Sequence, residues 1–443
     1  MTSRPGPLDI PGPLGRRTRR WRPAWVRAAG LLSTVLGAGL HRLFDVVLAA
    51  GVLVGLSPLL AVRALVARAR AGAVLARTPL VGRFRTPFER LDFADTGLGR
   101  ALPRLVNILR GDMSFAGPRP LARDEAAAVP ADAAERFEVR PGLVSVHSLR
   151  RRTGVAYDTE AAQDREFVYT QTLRGDIGLL ARSVPGMVLG GSDSRPAPPV
   201  LDFFGVPVVN TTMDEAVEWI VERARQATPS QVCFVNPDCL NIAYEHEAYR
   251  SVLRTCARVL PDGIGIHLAC QLTGSRLVAN VNGTDMFPRL CERIAGTDLS
   301  IFLLGARPEI AAAAAAAMQD RYPGLRVAGT QHGYFSADEE AAVIDAINAS
   351  GAHVLLVAFG VPRQELWLHE HAARLRPPVR LGVGGLFDFY SGRIPRAPVW
   401  MREIGLEWVW RLLQEPGRMW RRYLVGNPLF LYRVARYARS VSS

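Results

Sequence analysis

The chain has 443 residues, 49% of them hydrophobic and 21% charged, enough for about two or three domains with buried cores. A formal net charge of +13 and a pI near 10.2 require an anionic partner without choosing among nucleic acid, lipid headgroups and sugar nucleotides. All 54 basic residues are arginine, which excludes a Schiff-base lysine and a Walker-A lysine.

Residues 1–27, rich in proline and arginine, read as a disordered basic tail without the cleavage pattern of an export signal. An apolar tract follows over residues 28–67, interrupted by His41-Arg42 and by Ser57-Pro58. Residues 43–60 nearly suffice to span a bilayer, and Pro58 should break or kink the helix. Arginines at both ends (Arg42, then Arg63, Arg68 and Arg70) favour a re-entrant hairpin opening on the cytoplasmic face. A kinked transmembrane helix is the alternative. Residues 80–190 are mixed, with helices expected around 100–110 and 160–180. The run GSDSRPAPP at 191–199 reads as a linker, separating an α-rich domain (28–190) from a second domain (200–443).

Beyond the linker, strands and helices alternate. VLDFFGVPVV precedes a helix at 213–227, and QVCFVN precedes one at 238–256. LSIFLLG is followed by a helix at 308–321, LRVAGTQ by 337–349, HVLLVAFG by 363–374, and VRLGVGG closes the series. This rhythm predicts an α/β, Rossmann-like, mostly parallel sheet with helices on both faces. Ligands in such sheets sit at the carboxyl ends of the strands. The five cysteines (233, 239, 256, 270 and 291) form no CxxC pair and read as buried thiols in a reducing cytosol. His369 and His371 flank Glu370, but i,i+2 residues diverge on a helix. No metal site and no cofactor is expected.

Residues 381–423 join a glycine-rich loop to a helical segment dense in arginine and tryptophan. Glycines 382, 384 and 385 allow backbone N–H groups to approach a phosphate, arginine forks suit phosphates, and indoles suit a membrane boundary. The segment beyond residue 393 reads as a helical appendage.

Seven motifs occur in order: VNPDCL (235–240), LPDGIGI (260–266), NGTDMF (282–287), LLGARPE (303–309), HGYF (332–335), AFGVPRQE (358–365) and GVGGLFDFYSGRIPRAPVW (382–400). With them, residues 201–437 resemble the WecB/TagA/CpsF glycosyltransferase family. The resemblance implies an inverting, metal-independent enzyme of exopolysaccharide or other cell-surface glycan assembly. Such an enzyme moves a sugar, typically N-acetylmannosamine or its uronic acid, from UDP to a polyprenyl-diphosphate-linked sugar. It also implies Asp262 as the base for the acceptor hydroxyl, against the plain reading of a Pro-Asp-Gly turn. Asn236 and Asp238 should line the substrate cleft, or only cap the next helix. Thr284 and Asp285 carry the same two readings, and Asn282, in the same motif, is taken as substrate-binding. Gln364 stands where the family places a donor-contacting glutamine, Gly384 and Gly385 belong to the donor-site loop, and Arg307 meets UDP or is a surface arginine. Arg418, Arg421 and Arg422 share one helical face by i,i+3 and i,i+4 spacing, as candidates for the lipid diphosphate or the leaving UDP. Trp400, Ile404, Trp408 and Leu412 form an apolar stripe. Two departures from the family pattern, Asn280 for an arginine and Phe234 for a threonine, bear on the donor rather than on the reaction class.

The N-terminal half carries HRLFD (41–45), Ser57-Pro58, LPRLVNILRGDMSFAGPRP (102–120) and RPGLVSV (140–146). These resemble the bacterial sugar transferases, monotopic phosphoglycosyl transferases with a re-entrant helix. The family's Asp-Glu pair falls on Arg100 and Ala101, neither of which can be the nucleophile. Asp112 survives in a structural role, and Arg119 in a loop that could hold a phosphate. This half is therefore expected to be an inactive anchor at the cytoplasmic face of the bacterial inner membrane. Alternatives are a bifunctional enzyme that also transfers sugar phosphate, and a non-catalytic scaffold for glycan assembly. The expected partners are a UDP-sugar, a polyprenyl-diphosphate-linked sugar and a lipid surface, not nucleic acid; a homo-oligomer is left open.

Overall fold

A computed structural model describes residues 24–95, 99–153, 159–189 and 196–442. Residues 1–23 of the expected tail and 191–195 of the expected linker lie outside them. The chain divides into two compact units: residues up to 78, 89–114 and 171–174 in one, and 79–88, 115–170 and 175 onward in the other.

The first unit opens with α1 (Ala24–Gly55) and α2 (Ser57–Ala71). From Gly39 onward the two helices meet at 72°. Pro58 lies in the first turn of α2, where its missing N–H costs nothing, and Ser57 Oγ donates to Val54 O at 2.8 Å. Among the described residues no single helix is long and apolar enough to cross a membrane, although the bent pair together is. Leu43, Val47, Val54, Val62 and Leu65 along this pair are exposed. Arg42 donates to the carbonyls of Ile108 (2.6 Å) and Leu109 (2.7 Å), which satisfies the carboxyl end of α3 (Arg104–Arg110). Asn107 is fully buried. It accepts from Leu91 N at 2.9 Å and donates to Glu89 O (2.7 Å) and to Asp112 Oδ2 (3.1 Å). Asp112 is thus tied into the fold. Strands β1 (Leu75–Val81) and β2 (Pro87–Phe93) pair as a two-stranded sheet.

The second unit contains another two-stranded sheet, β3 (Ser114–Ala116) with β4 (Gly142–Val144), and helices α4 (Arg123–Ala127), α5 (Val146–Thr153), α6 (Glu160–Thr170) and α7 (Leu173–Leu189). Ala116, Val144, Leu149, Phe167 and Leu179 form a small core. A Cβ on Gly117 or on Gly142 would collide with the other's backbone or its immediate neighbours. That close crossing requires glycine in both the GPRP and the RPG motifs.

The same unit holds the main sheet. VLDFFGVPVV is an antiparallel hairpin, β5 (Val200–Phe203) and β6 (Val206–Val209), outside that sheet. Then come α8 (Met213–Arg225), β7 (Ser230–Val235), α9 (Pro237–Glu245), α10 (Glu247–Thr255), β8 (Arg258–Pro261), α11 (Ile264–Leu272) and α12 (Gly283–Ile294). They are followed by β9 (Ser300–Gly305), α13 (Ile310–Arg321), β10 (Arg326–Gln331), α14 (Ala337–Ala349), β11 (Val354–Ala358), α15 (Arg363–Glu370), β12 (Val379–Gly382) and α16 (Leu386–Tyr390). The strand order is β10-β9-β11-β12-β7-β8, and every pairing is parallel. Central strands β9 and β11 are wholly buried, as a sheet covered on both faces requires. The helix expected over 238–256 is two helices, because His246 is extended (φ −117, ψ 103). Strand β8 has no counterpart in the sequence reading.

The appendage consists of α17 (Val399–Glu403), α18 (Glu407–Gln414), α19 (Pro416–Trp420), a π-helical turn over Arg421–Val425 and α20 (Gly426–Ser442). Phe430 and Val434 of α20 enter the core beside Leu240 and Ile266, and Asn241 Nδ2 donates to Gly426 O at 2.8 Å.

Candidate active site

The carboxyl ends of β7 and β8 open into a cavity of about 170 Å³. Its floor is made by the turns that follow these strands. Asn236 caps α9: its Oδ1 accepts from the N–H groups of Asp238 (3.0 Å) and Cys239 (3.2 Å). Asn236 therefore caps the helix and also faces the cavity. Asp262 sits where β8 ends, its N–H donating to Val235 O at 2.8 Å. Gly263 turns the chain at φ +94, a conformation that suits glycine. Its N–H donates to Asn280 Oδ1 at 2.7 Å. The residue standing in place of the family's arginine thus orients the Asp-Gly turn, a role that its spacing in the sequence does not reveal.

Asp262 is half-buried. Its carboxyl is pushed up to about 6, chiefly by burial and further by Glu407, while Arg422, Arg411 and a hydrogen bond from Asn236 pull the other way. A carboxylate tuned toward neutrality in a cleft suits proton abstraction near neutral pH.

The opposite wall comes from the appendage: Arg402, Gly405, Glu407, Trp408, Trp410, Arg411, Gln414, Arg422 and Tyr423. Arg422 Nε lies 3.4 Å from Asp238 Oδ2. Arg411 makes no ion pair among the described residues. Its guanidinium lies 5.4 Å from the centre of the Phe389 ring, and its Nε is buried without a hydrogen-bond partner. A Cβ on Gly385 would come within 2.9 Å of its Nη2, so that glycine leaves room for the arginine. Arg411 was not among the expected ligands, although it lies in the arginine-rich stretch.

Asn282, Thr284 and Asp285 all border the cavity. Asn282 caps α12, accepting from Asp285 N and donating to Asp285 Oδ2, both at 2.8 Å. Asp285 Oδ1 receives Arg396 Nη1 at 2.5 Å, and Arg396 also binds Glu407 at 3.1 Å. The Asp285 carboxylate is therefore engaged in holding the appendage against the sheet. Thr284 O accepts from the Tyr390 hydroxyl at 2.6 Å.

Other expected ligands fall elsewhere. Arg307 is exposed and does not border the cavity. Gln364 is buried; its Oε1 accepts from Gly384 N at 2.9 Å and from Gly360 N at 3.3 Å. It braces the Gly384-Gly385 loop behind the cavity rather than lining it. The three arginines expected on one face diverge, because the π-helical turn changes the angular step between residues. Only Arg422 faces the cavity. Arg418 is exposed beside Glu415, and Arg421 lies over the Trp420 ring. The apolar stripe is interrupted too: Gly405 (φ +73) separates α17 from α18, with Ile404 buried and Trp400 half exposed. In the remnant of the sugar-transferase pattern, Arg119 is paired with Glu125 (3.0 Å) and Glu160 (2.9 Å), which neutralises it as an anion ligand.

Next to Gln364, Glu365 is fully buried, with Oε1 accepting from Gln364 Nε2 at 2.7 Å and Oε2 unpartnered. Burial pushes its carboxyl up to about 7. Its folded value lies above its unfolded value, so the native state keeps a proton that the unfolded chain has lost. The neutral group is tolerated below the unfolded value, and a destabilising contribution grows as pH rises from about 4.5 to about 7. Glu365→Gln is expected to remove this component, making the protein more stable at pH 8 by roughly 1–3 kcal/mol. Denaturant unfolding at pH 5 and 8 checks it; an equal effect at both values would refute it.

Residues 201–443 match the family described as Glycosyl transferase WecG/TagA/CpsF family, and residues 100–190 match Bacterial sugar transferase. A Bacillus subtilis N-acetylglucosaminyldiphosphoundecaprenol N-acetyl-beta-D-mannosaminyltransferase is 31% identical over 220 residues, 49% of this chain and 85% of that protein. The enzyme of the same name from Staphylococcus aureus strain MW2 is 32% identical over 244 residues, 54% of this chain and 94% of that protein. With the match extending over more than half its length, the chain belongs to the glycosyl transferase WecG/TagA/CpsF family.

Proposed function

We propose that the chain transfers an N-acetylmannosaminyl group from UDP to N-acetylglucosamine carried on a polyprenyl diphosphate, at the cytoplasmic surface of a membrane. The observation that carries this reading is the cleft itself, which sets a carboxyl raised to about 6 on one wall and Arg411 and Arg422 on the other. Asp262 takes the proton of the acceptor hydroxyl. The freed oxygen attacks the anomeric carbon from the face opposite UDP, and the bond to the diphosphate breaks with inversion. Arg411 and Arg422 meet the charge that develops on the leaving group. The names of the Bacillus and Staphylococcus relatives support the donor and acceptor classes. The exposed apolar side chains of α1 and α2 support a membrane surface as the place where the acceptor is met.

The test incubates the full-length protein in lipid nanodiscs with UDP-N-acetylmannosamine and polyprenyl-diphosphate-N-acetylglucosamine. Acceptor-dependent release of UDP with formation of a lipid-linked disaccharide is expected. UMP release with polyprenyl phosphate would instead support sugar-phosphate transfer by the N-terminal half. Absence of any product from either acceptor, with a set of UDP-N-acetylhexosamines, would favour the scaffold reading.

A further inference from the structure

Glu403 is 2% exposed and ends α17, one residue after the cleft-lining Arg402. Successive residues on a helix point about 100° apart, so one helix can serve the cleft with one side chain and another surface with the next. Glu403 Oε1 accepts from Arg150 Nε at 2.8 Å, and Oε2 pairs with Arg182 Nη1. Arg150 stands on α5 and Arg182 on α7, both inside the stretch that matches the bacterial sugar transferases. Both are set on packed supports. Leu149, beside Arg150, and Leu179, one helical turn before Arg182, belong to the small core of that remnant. The remnant therefore presents two cations, at a fixed spacing, to one buried carboxylate of the appendage. A buried acid left without such partners is strongly unfavourable, so α17 is held where these arginines are. Immediately after α17, Gly405 turns the chain with φ +73, and a Cβ there would lie 3.3 Å from Ile264 at the start of α11. Glu403 thus lies between Arg402 and Gly405, both of which line the same wall as Arg411.

We infer that the sugar-transferase remnant is an internal clamp: Arg150 and Arg182 are positioning residues that hold Glu403 and so place the appendage wall of the glycosyltransferase cleft. The remnant then keeps a function without a nucleophile of its own. The match spans 94% of the Staphylococcus relative, which leaves that protein no length for a comparable domain. The clamp is thus a property of the fused chain. The inference rests on the cleft being the transfer site, but its structural part does not.

The test uses the full-length protein and compares wild type with Glu403→Gln, the double variant Arg150→Ala/Arg182→Ala, and the conservative double variant Arg150→Lys/Arg182→Lys. Hydrogen–deuterium exchange over residues 399–414 reads the wall directly. UDP-release kinetics read its consequence. Faster exchange confined to 399–414, with β9 and β11 protected as in wild type, is expected for Glu403→Gln and the double alanine variant. Their kcat should fall on the order of tenfold to 10²-fold, as for displaced catalytic groups. KM for the donor should change less, and the lysine variant should recover most of the rate. Unchanged exchange in the alanine variant would overturn the clamp, and so would faster exchange with unchanged kcat. If wild type turns over no donor, the function proposed above fails, and exchange over 399–414 alone decides whether the clamp exists.

Discussion

Asp262→Asn is expected to lower the rate of UDP release by about 10²–10⁴-fold, the span that a positioned general base contributes. Asparagine keeps the size of the side chain and its contact with Asn236 but cannot take a proton. The wild-type pH profile carries a second signature. The carboxyl is pushed up to about 6 by burial and by Glu407, and the base works only when ionised. Activity should therefore fall as pH drops through about 6, approaching tenfold per pH unit well below it. The residual activity of the variant should show no such limb. A variant that kept the acid limb would assign it to another group and remove Asp262 from the role of base.

Arg411→Ala should cost about 10²–10³-fold in kcat, the range seen when one preorganised donor to a developing anion is lost. Its guanidinium is the unpaired cation of the cleft wall among the described residues, whereas Arg422 is already shared with Asp238. Arg411→Lys should restore only part of the rate, because an ammonium lacks the planar fork that reaches two phosphate oxygens. Arg418→Ala serves as the contrast: that side chain is exposed and away from the cavity, so little effect on kcat is expected. Steady-state kinetics of the three variants on one donor decide between them. Equal losses at 411 and 418 would point to a diffuse electrostatic effect of the appendage rather than a placed ligand.

The sheet was legible because its strands are continuous apolar runs such as VLLVA, and such runs mark strands covered on both faces. β8 escaped notice because it is four residues long and runs straight into Pro-Asp-Gly, which reads as a turn. The break at His246 has no glycine or proline to announce it. Asp262 was legible only through the family motif LPDGIGI, since Pro-Asp-Gly by itself reads as a turn. The choice among arginines was not. Periodicity assumes a regular helix, and the appendage has a glycine turn at 405 and a π-helical turn at 421–425. Nor could spacing show that Asp285 pairs with Arg396 or that Glu403 pairs with Arg150. These contacts join residues more than 100 positions apart and exist only once the fold brings them together.

The last strand of the sheet ends at Gly382, while Arg411 and Arg422, on the far wall of the cleft, come later in the chain. During synthesis the strands that carry Asp262 leave the ribosome before the arginines of the facing wall. A half-made chain would hold the carboxylate without its counterpart wall. The cleft is therefore complete only once the appendage has been made and has docked, so any activity that needs both walls waits for the growing polypeptide to be finished.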